Sequence, residues 1–426
     1  MPNDFASNFT RDLAKVFLKK FESMRVLSKN VDTQLLEGRF NPDSGDTVDF
    51  KRPTDYISVR TSDGDVSGET KSDIITGKAS GIVQDYFTVF VDYLEADEAI
   101  KMGDIEELLA PMATRIVTDL EVDFALFMLH NAGLMAGTYG EAVATWSEVA
   151  EAGALMSAIG IPPDSDWVYA VNPFTQKALA SDQRSLGSGG SAGALISDAH
   201  RKAIMSEDFG GMKVMKATTL GTVTTEAGAD RAGTLSANPD VTYVTAKDTM
   251  KQTLAVTAFQ ANLQVRAGEV ITIAARNRLN LSTRKPIVNE AGAQILWSGV
   301  VTADVLLGAS GEGNIVVAGP ALFEAAGQYN TTVTAAVSGD VVTLLGSAST
   351  LYQPNMFWHR QAFSIGSVQI KKLHSTDTLA KTEDGLQFRV SKGVGFLENT
   401  QKVRIDFRPA YSVLNPFFAG QGWGVA

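Results

Sequence analysis

The sequence predicts an α+β protein with an inserted all-β domain. Helical spacing of apolar residues is strong in residues 5–29 and 104–131, and residues 145–221 alternate short helices with short apolar strands. Residues 222–345 differ in composition, with 16 threonines, 16 valines and only five aromatic residues. Because β-branched residues favour strands, we expect this segment to fold as an independent antiparallel β domain. Its predicted strands include VTYVT (241–245), EVITIAA (269–275), NIVVA (314–318) and DVVTLL (340–345).

The composition excludes several functional classes. The 426 residues are 44% hydrophobic and 20% charged, which is enough apolar surface for about two or three folding units. The net charge of -11 argues against a protein that mainly coats nucleic acid through a basic surface. Because there is no cysteine, disulfides, thiolate metal sites and cysteine nucleophiles are excluded, which fits assembly in a reducing cytosol. No run of about 18 apolar residues occurs, so no membrane partner is expected.

Residues 5–29 are predicted to form an amphipathic helix. Its apolar residues recur three or four positions apart, at Phe9, Leu13, Phe17, Phe21 and Met24. The opposite face carries basic residues, among them Lys15, Lys19, Lys20 and Arg25. A solvated helix surface is the ordinary explanation for such charge. The alternative is an arm that docks on something outside its own domain.

Residues 45–93 alternate in polarity and predict two long strands, around residues 47–50 and 87–91. The intervening residues 61–73 are polar, so they cannot contribute much to a core. Two strands joined by a polar tip form a hairpin, and an isolated hairpin is marginally stable in water. The tip residues Asp63, Asp65, Glu69 and Lys71 are therefore candidates for contact with another molecule.

Residues 104–131 give the strongest helical pattern, with an apolar stripe that runs from Ile105 to Met128. Pro111 lacks an amide donor and is expected to kink this helix or to start its second part. Gly133 is a suitable stop. The acidic residues on this segment, including Asp119, Glu121 and Asp123, are interpreted as a solvated face.

The sequence contains little that indicates catalysis. The four histidines, His130, His200, His359 and His374, form no zinc-binding pair, and neither a GxSxG elbow nor a phosphate-binding P-loop occurs. Residues 187–192 loosely fit GxGxxA but follow a polar run, so a flexible loop is the better interpretation. Residues 63–74 imitate part of a calcium loop, yet Ile74 occupies the position of the bidentate glutamate. No metal, cofactor or catalytic residue is predicted, and an enzyme of unrecognised type has only acidic clusters in its favour.

Several motifs resemble the coat, or major capsid, proteins of short-tailed phages that infect enteric bacteria, a family whose subunit carries an inserted β domain. The motifs lie on both sides of the insertion: GDTVDFKRP (45–53), TGKASG (76–81), LEADEAIK (94–101), EELLAPMATRIVTDLE (106–121), DFGGMKVM (208–215), QPNMF (353–357), VQIKKLHSTD (368–377) and FRPAYSVLNPFFAGQ (407–421). Within the insert the likeness rests mainly on composition and on AGEVI (267–271).

This resemblance implies the tailed-phage capsid fold. It assigns an amino-terminal arm to residues 1–45, an extended loop to 46–92 and a peripheral domain with a spine helix to 93–144. An axial domain follows at 145–221, then an immunoglobulin-like or telokin-like β barrel at 222–345. Residues 346–426 return to the axial and peripheral domains.

The resemblance also implies a structural protein without enzymatic activity. Several hundred copies, arranged as hexons and pentons, assemble with a scaffolding protein and a portal protein into a procapsid in the host cytoplasm. The procapsid then expands into a virion capsid around double-stranded DNA, which it contacts non-specifically. Under this hypothesis Lys15, Lys19, Lys20 and Arg25 face scaffold or DNA at the inner surface, and the tip at Asp63 to Glu69 contacts another subunit. The alternative is a tail or adhesin protein whose β domain binds a host surface.

Overall fold

The computed structural model describes residues 5–33, 35, 47–52, 55–94, 105–161, 166–186, 208–228, 230–325, 327–395 and 400–425. The GxGxxA segment at 187–192 lies outside these ranges. The helices are α1 (Phe5–Met24), α2 (Ile105–Asn131), α3 (Trp146–Ile159), α4 (Pro173–Leu186) and α5 (Tyr243–Ala246).

The strands fall into two groups along the chain. Those before and within the Thr/Val-rich region are β1 (Thr47–Lys51), β2 (Lys78–Val83), β3 (Phe87–Leu94), β4 (Leu134–Ala136), β5 (Trp167–Val171), β6 (Asp208–Phe209), β7 (Met212–Lys216), β8 (Val223–Thr224), β9 (Ala232–Leu235), β10 (Lys251–Thr257), β11 (Gln264–Val265), β12 (Val270–Asn277), β13 (Leu296–Val301), β14 (Val305–Leu306), β15 (Gly313–Ala318) and β16 (Val341–Leu344). Those that follow are β17 (Leu351–Tyr352), β18 (Asn355–His359), β19 (Phe363–Ser367), β20 (Thr378–Lys381), β21 (Gln387–Gly395), β22 (Thr400–Phe407), β23 (Pro409–Val413) and β24 (Ala419–Gly422).

The two long helices predicted from the sequence, α1 and α2, are confirmed. Helix α2 continues without interruption past Pro111, so no second helix starts there. Among the described residues, no helix combines the length and the apolar character needed to cross a bilayer.

The chain folds into two compact units, of which the first comprises residues 1–49, 80–125 and 363–413. It contains a sheet in the order β1-β2-β23-β19 and an antiparallel sheet in the order β20-β21-β22-β3. Helix α1 covers one face of the second sheet. The ring of Phe17 lies 4.4 Å from that of Phe388, and Phe21 lies 5.6 Å from Phe407. Leu13, Phe17 and Phe21 of the predicted apolar stripe are therefore buried within their own unit, whereas Met24 at the end of the helix is exposed.

The other face of this sheet carries a buried charged cluster. The carboxylate of Asp406 accepts hydrogen bonds from Arg389 Nη2 at 2.5 Å, Arg404 Nε at 2.6 Å and Thr88 Oγ1 at 2.7 Å. Burial raises the pKa of Asp406, but these hydrogen bonds outweigh that effect and hold the pKa below its ordinary value. The cluster joins the three adjacent strands β3, β21 and β22.

The second unit comprises residues 50–79, 126–362 and 414–426. Its six-stranded sheet has the order β4-β24-β18-β5-β7-β6, with β5 parallel to β7 and β4 parallel to β24. Helix α3 packs its apolar face on this sheet and contributes Val149, Met156 and Ile159 to the core. The chain leaves α3 at Gly160, whose φ of 102° is left-handed and suits glycine.

Six strands of the Thr/Val-rich region form a closed barrel in the order β10-β15-β13-β12-β16-β9. All of its strand pairs are antiparallel, as the sequence predicts. The barrel is filled by aliphatic side chains around Trp297, whose Nε1 donates to the carbonyl of Gly319 at 3.0 Å. Its relation to telokin-like domains, and the domain boundaries drawn from the resemblance, stay predictions.

One expected strand of the insert is wrong. Residues 241–245 have a β-type sequence, but Tyr243–Ala246 form α5. Asp240 determines this outcome, because its carboxylate accepts hydrogen bonds from the amide of Thr242 at 2.9 Å and from the hydroxyl of Thr245 at 2.7 Å. Such local side-chain hydrogen bonds offer the backbone an alternative to strand pairing.

Candidate functional site

The exposed face of α1 carries three of the four basic residues predicted to contact a partner. Lys15, Lys19 and Lys20 are all exposed, and 67% of the Lys15 side chain is accessible. Lys15 Nζ donates to Asp12 Oδ1 at 2.9 Å, and this hydrogen bond holds the pKa of Asp12 below its usual value. Because these ammonium groups remain solvated, they can attract an anionic surface without refolding of the helix.

The fourth residue, Arg25, does not lie on this face. It is only 4% exposed, because α1 ends at Met24 and the chain turns inward. Its Nε donates to Ser28 Oγ and its Nη1 pairs with Asp384 Oδ2, both at 2.8 Å. Burial lowers the pKa of Arg25, and Asp384 opposes that shift. The assignment of Arg25 to a partner-facing surface is therefore wrong, and its guanidinium stabilises the turn after α1.

Glu121 holds the same turn from α2. Its carboxylate accepts hydrogen bonds from the amides of Val26 at 3.3 Å, Leu27 at 2.7 Å and Ser28 at 3.1 Å, and from the hydroxyl of Ser28. Glu121 is 2% exposed, so the prediction of a solvated acidic face is wrong at this position. A signal was present in the sequence, because Glu121 lies four residues after Val117, on the apolar stripe of the helix.

The predicted hairpin differs from the structure in its strand pairing. The strand at 87–91 belongs to β3, which pairs with β22, whereas β1 lies next to β2 in another sheet. Residues 55–77, which lie inside the extended loop predicted at 46–92, contain no strand. From here on, the name extended loop refers to residues 55–77 only. Ser72 Oγ accepts a hydrogen bond from the amide of Ile57 at 2.8 Å, which joins the two limbs of the loop.

The four predicted tip residues, Asp63, Asp65, Glu69 and Lys71, are all exposed. Asp63 accepts from the amide of Asp65 at 3.1 Å, and Asp65 accepts from the amide of Ser67 at 2.9 Å. The hydrogen bond from Ser67 lowers the pKa of Asp65. These bonds are typical of Asx turns, so both carboxylates shape the tip while their other oxygens face solvent.

Large apolar side chains are exposed along the same loop. Tyr56, Val66 and Ile74 all lie at the surface, and Ile74 is 76% exposed. The extended loop therefore exposes apolar surface in the single subunit.

A metal site would need several histidine or carboxylate side chains close together within the ranges that the structure describes. No group of three or more histidine, aspartate and glutamate side chains among those residues is arranged to hold a metal ion. His200 lies outside the described residues.

The sequence did not indicate the residues that hold the base of the extended loop. Arg284 forms an ion pair with Asp55, and Tyr329 Oη donates to the carbonyl of Ile75 at 3.1 Å. Both residues lie in connections between barrel strands, more than 200 positions along the chain from the loop. No periodicity or local motif connects such distant positions.

The sequence profile of the family described as P22 coat protein, gene protein 5, matches residues 6–424. The chain belongs to this family of phage coat proteins. A curated relative, the major capsid protein of Acyrthosiphon pisum secondary endosymbiont phage 1, is 32% identical over 427 residues, which cover 100% of both chains.

Solved structures similar to this chain include a chain of Mycobacterium phage Che8, with 10% identity and a TM-score of 0.47 over 93% of this chain and 90% of that one. The capsid of Ralstonia phage GP4 also matches, with 10% identity and a TM-score of 0.43 over 95% and 91% of the two chains.

These findings confirm the family predicted from the sequence. The chain is a structural component of a phage capsid and hence of the virion, rather than a tail or adhesin protein. The predicted α+β class is confirmed as well.

Proposed function

We propose that this capsid subunit assembles with a scaffolding protein, in the host bacterial cytoplasm, into an icosahedral procapsid that expands around double-stranded DNA. Several hundred copies form its hexons and pentons, and a portal protein occupies one vertex. The subunit acts through its surfaces, without a catalytic residue or cofactor. The observation that carries this proposal is the extended loop, whose apolar side chains are exposed in the single subunit.

The extended loop is proposed to lie on a neighbouring subunit. Covering an exposed side chain such as Ile74 removes apolar surface from water, and full burial is worth about 1.5–3 kcal/mol. Each such contact is modest against the entropy lost on association. A closed shell multiplies the contact over many copies, so modest contacts are sufficient.

The lysines of α1 are proposed to face scaffold or DNA at the inner surface. Lys15, Lys19 and Lys20 form a local cationic surface on a protein whose net charge is -11. A small cationic surface attracts a polyanion non-specifically, and the attraction weakens as salt is added.

The experiment for the whole proposal is coexpression of the chain with a scaffolding protein, followed by electron microscopy. Closed shells support the proposal, whereas only tubes or single subunits contradict it.

The lysine surface is tested by K15E/K19E/K20E, with Lys213→Glu as control because Lys213 is an exposed lysine of β7. We expect the triple variant to alter scaffold-dependent assembly and the control to assemble normally. Unchanged procapsid yield from the triple variant refutes this role.

The loop surface is tested by Ile74→Asp, with Leu351→Asp as control because Leu351 is a similarly exposed side chain outside the loop. Ile74→Asp should leave folded, soluble subunits that form few shells. Deletion of residues 63–69 should have the same effect. Normal shells from both variants rule out the contact.

A further inference from the structure

The extended loop lacks strands, yet both of its ends are fixed to the insert of the same chain. Five residues from three connections between barrel strands make the contacts, and a sixth, Tyr243, stacks on one of them. All six are called here the latch: Tyr243, Lys247, Asp248, Arg284, Gln328 and Tyr329. All of them belong to the second unit, as does the loop. The loop tip makes no comparable set of contacts among the described residues, so its position depends on the base.

Arg284 holds the first limb of the loop. Its guanidinium pairs with the carboxylate of Asp55 and also donates to the carbonyls of Gln328 and of Asn330, the latter at 2.7 Å. The Arg284 side chain is 25% exposed and that of Asp55 is 46% exposed, so solvent screens this pair in part. Burial lowers the pKa of Arg284, an effect that Asp55 opposes.

The residue that holds the first limb, Arg284, also has a strained backbone. Its φ is 55°, a left-handed conformation that non-glycine residues seldom adopt. The preceding turn supports this conformation, because Asn280 Oδ1 accepts from the amides of Ser282 at 2.9 Å and Thr283 at 2.7 Å. Strain of this kind persists where the surroundings determine the conformation, and here it places the guanidinium on the loop.

Tyr329 connects the two limbs through one oxygen atom. Its hydroxyl accepts from the amide of Asp55 at 3.3 Å and donates to the carbonyl of Ile75 at 3.1 Å. Its ring stacks on that of Tyr243, with centroids 3.7 Å apart and planes at 11°. The neighbouring Gln328 donates to the carbonyl of Asp73 at 2.7 Å.

Residues 247 and 248 contact the chain just outside the loop, before its first limb and after its second. Asp248 Oδ1 accepts from the amide of Lys78 at 3.1 Å, and the carbonyl of Lys247 accepts from Arg52 Nη1 at 3.2 Å. The backbones approach closely here, since a Cβ on Gly77 would lie 2.4 Å from the carbonyl oxygen of Lys247. Only glycine fits at this point of the loop.

We propose that the latch fixes the direction in which the extended loop leaves the free subunit, so that the insert prepares the loop for contact with a neighbour before assembly begins. This inference rests on the proposed function of the loop. A loop held in place loses less conformational freedom when it docks, which favours association. Without the latch, only the fraction of subunits with a correctly placed loop is competent to bind.

The test compares Arg284→Ala and Tyr329→Phe by hydrogen exchange on the folded single subunit. Tyr329→Phe removes one oxygen and keeps the stacked ring, so it remains informative if Arg284→Ala fails to fold. In both variants we expect the amides of Asp55 and Lys78 to exchange about tenfold faster, the factor that corresponds to the loss of one net hydrogen bond.

Arg276→Ala is the matched control. Arg276 lies on the barrel strand β12 and pairs with Asp340 through bonds of 2.6 and 2.7 Å, away from the loop. It should leave exchange at the loop base unchanged. Equal exchange at the loop base in wild type, Arg284→Ala and Tyr329→Phe overturns the latch.

The second measurement is the rate of shell formation by the R284A/Y329F double variant in the presence of scaffolding protein. Faster exchange at the loop base together with slower assembly supports the proposal. Faster exchange with a normal assembly rate overturns the role of the latch in assembly but leaves the proposed function intact. If wild type forms no shells, the proposed function fails, and the exchange data still decide whether the latch exists.

Discussion

Replacement of Glu121 by glutamine should destabilise the first unit strongly, although the two side chains have nearly the same size. The carboxylate accepts three backbone amides and one hydroxyl at a site that is 2% exposed. In the variant, one oxygen becomes an amide group that donates instead of accepting. At least one or two buried donors then lose their acceptor.

The magnitude follows from these contacts. Each buried donor left without a partner costs about 1–3 kcal/mol, so the expected loss in the free energy of unfolding is about 3 kcal/mol. For a unit of this size that loss lowers Tm by roughly 6–12 °C. The turn at residues 26–28 should open first, because it holds all four donors.

The assay is thermal unfolding of the full chain, followed by circular dichroism at neutral pH. Asp119→Asn is the control, since Asp119 lies on the same helix and forms an exposed ion pair with Arg115 at 3.0 Å. Pairs of this kind contribute about 0.3–0.5 kcal/mol, so the control should shift Tm by no more than about 2 °C. Equal Tm shifts in the two variants would refute the buried role of Glu121.

Three other perturbations have defined outcomes. Phe21→Ala should lower the free energy of unfolding by about 3–5 kcal/mol in denaturant titrations, because its ring is fully buried against three other rings. A change below about 1 kcal/mol would contradict that packing. Burial raises the pKa of Asp406, but its hydrogen bonds lower the pKa by more, so the ionised carboxylate stabilises the folded state. This contribution to the free energy of unfolding is present above pH about 4 and is lost as the pH falls through the lowered pKa. In acid titrations, the free energy of unfolding of Asp406→Asn should therefore decrease less steeply than that of wild type. Gly311→Ala should lower the free energy of unfolding by well over about 1–2 kcal/mol, because φ is 67° and the added Cβ would also collide with the carbonyl of Phe259. Gly339→Ala has a similar φ of 88° but open space around the added Cβ, so it should lower the free energy of unfolding by only about 1–2 kcal/mol.

The sequence predicted those parts of the fold that depend on local periodicity. Helices α1 and α2 and the strands β12, β15 and β16 have repeats that only one secondary structure satisfies. Residues 241–245 show where this reasoning stops. Their β-branched side chains favour a strand, but hydrogen bonds to one upstream aspartate favour a helix start, and propensity alone cannot weigh the two.

The candidate surfaces were predictable only where the residues are exposed and close in sequence. Lys15, Lys19 and Lys20 lie on one helix face, so their common exposure follows from helical geometry. Arg25 has the same charge, yet its position depends on where α1 ends and on Asp384, which is 359 positions away. Such distant pairs are set by tertiary packing, which a single sequence does not specify.

The closed hydrogen bonding of the barrel strands has a consequence for contacts between neighbouring copies of the chain. Each of its six strands is hydrogen-bonded on both sides, because β9 joins β10 and closes the ring. A strand with an unpaired edge can form backbone hydrogen bonds with the edge of another chain, which leads to aggregation. Because the barrel is closed, many copies of this Thr/Val-rich segment can lie close together without pairing their strands with one another.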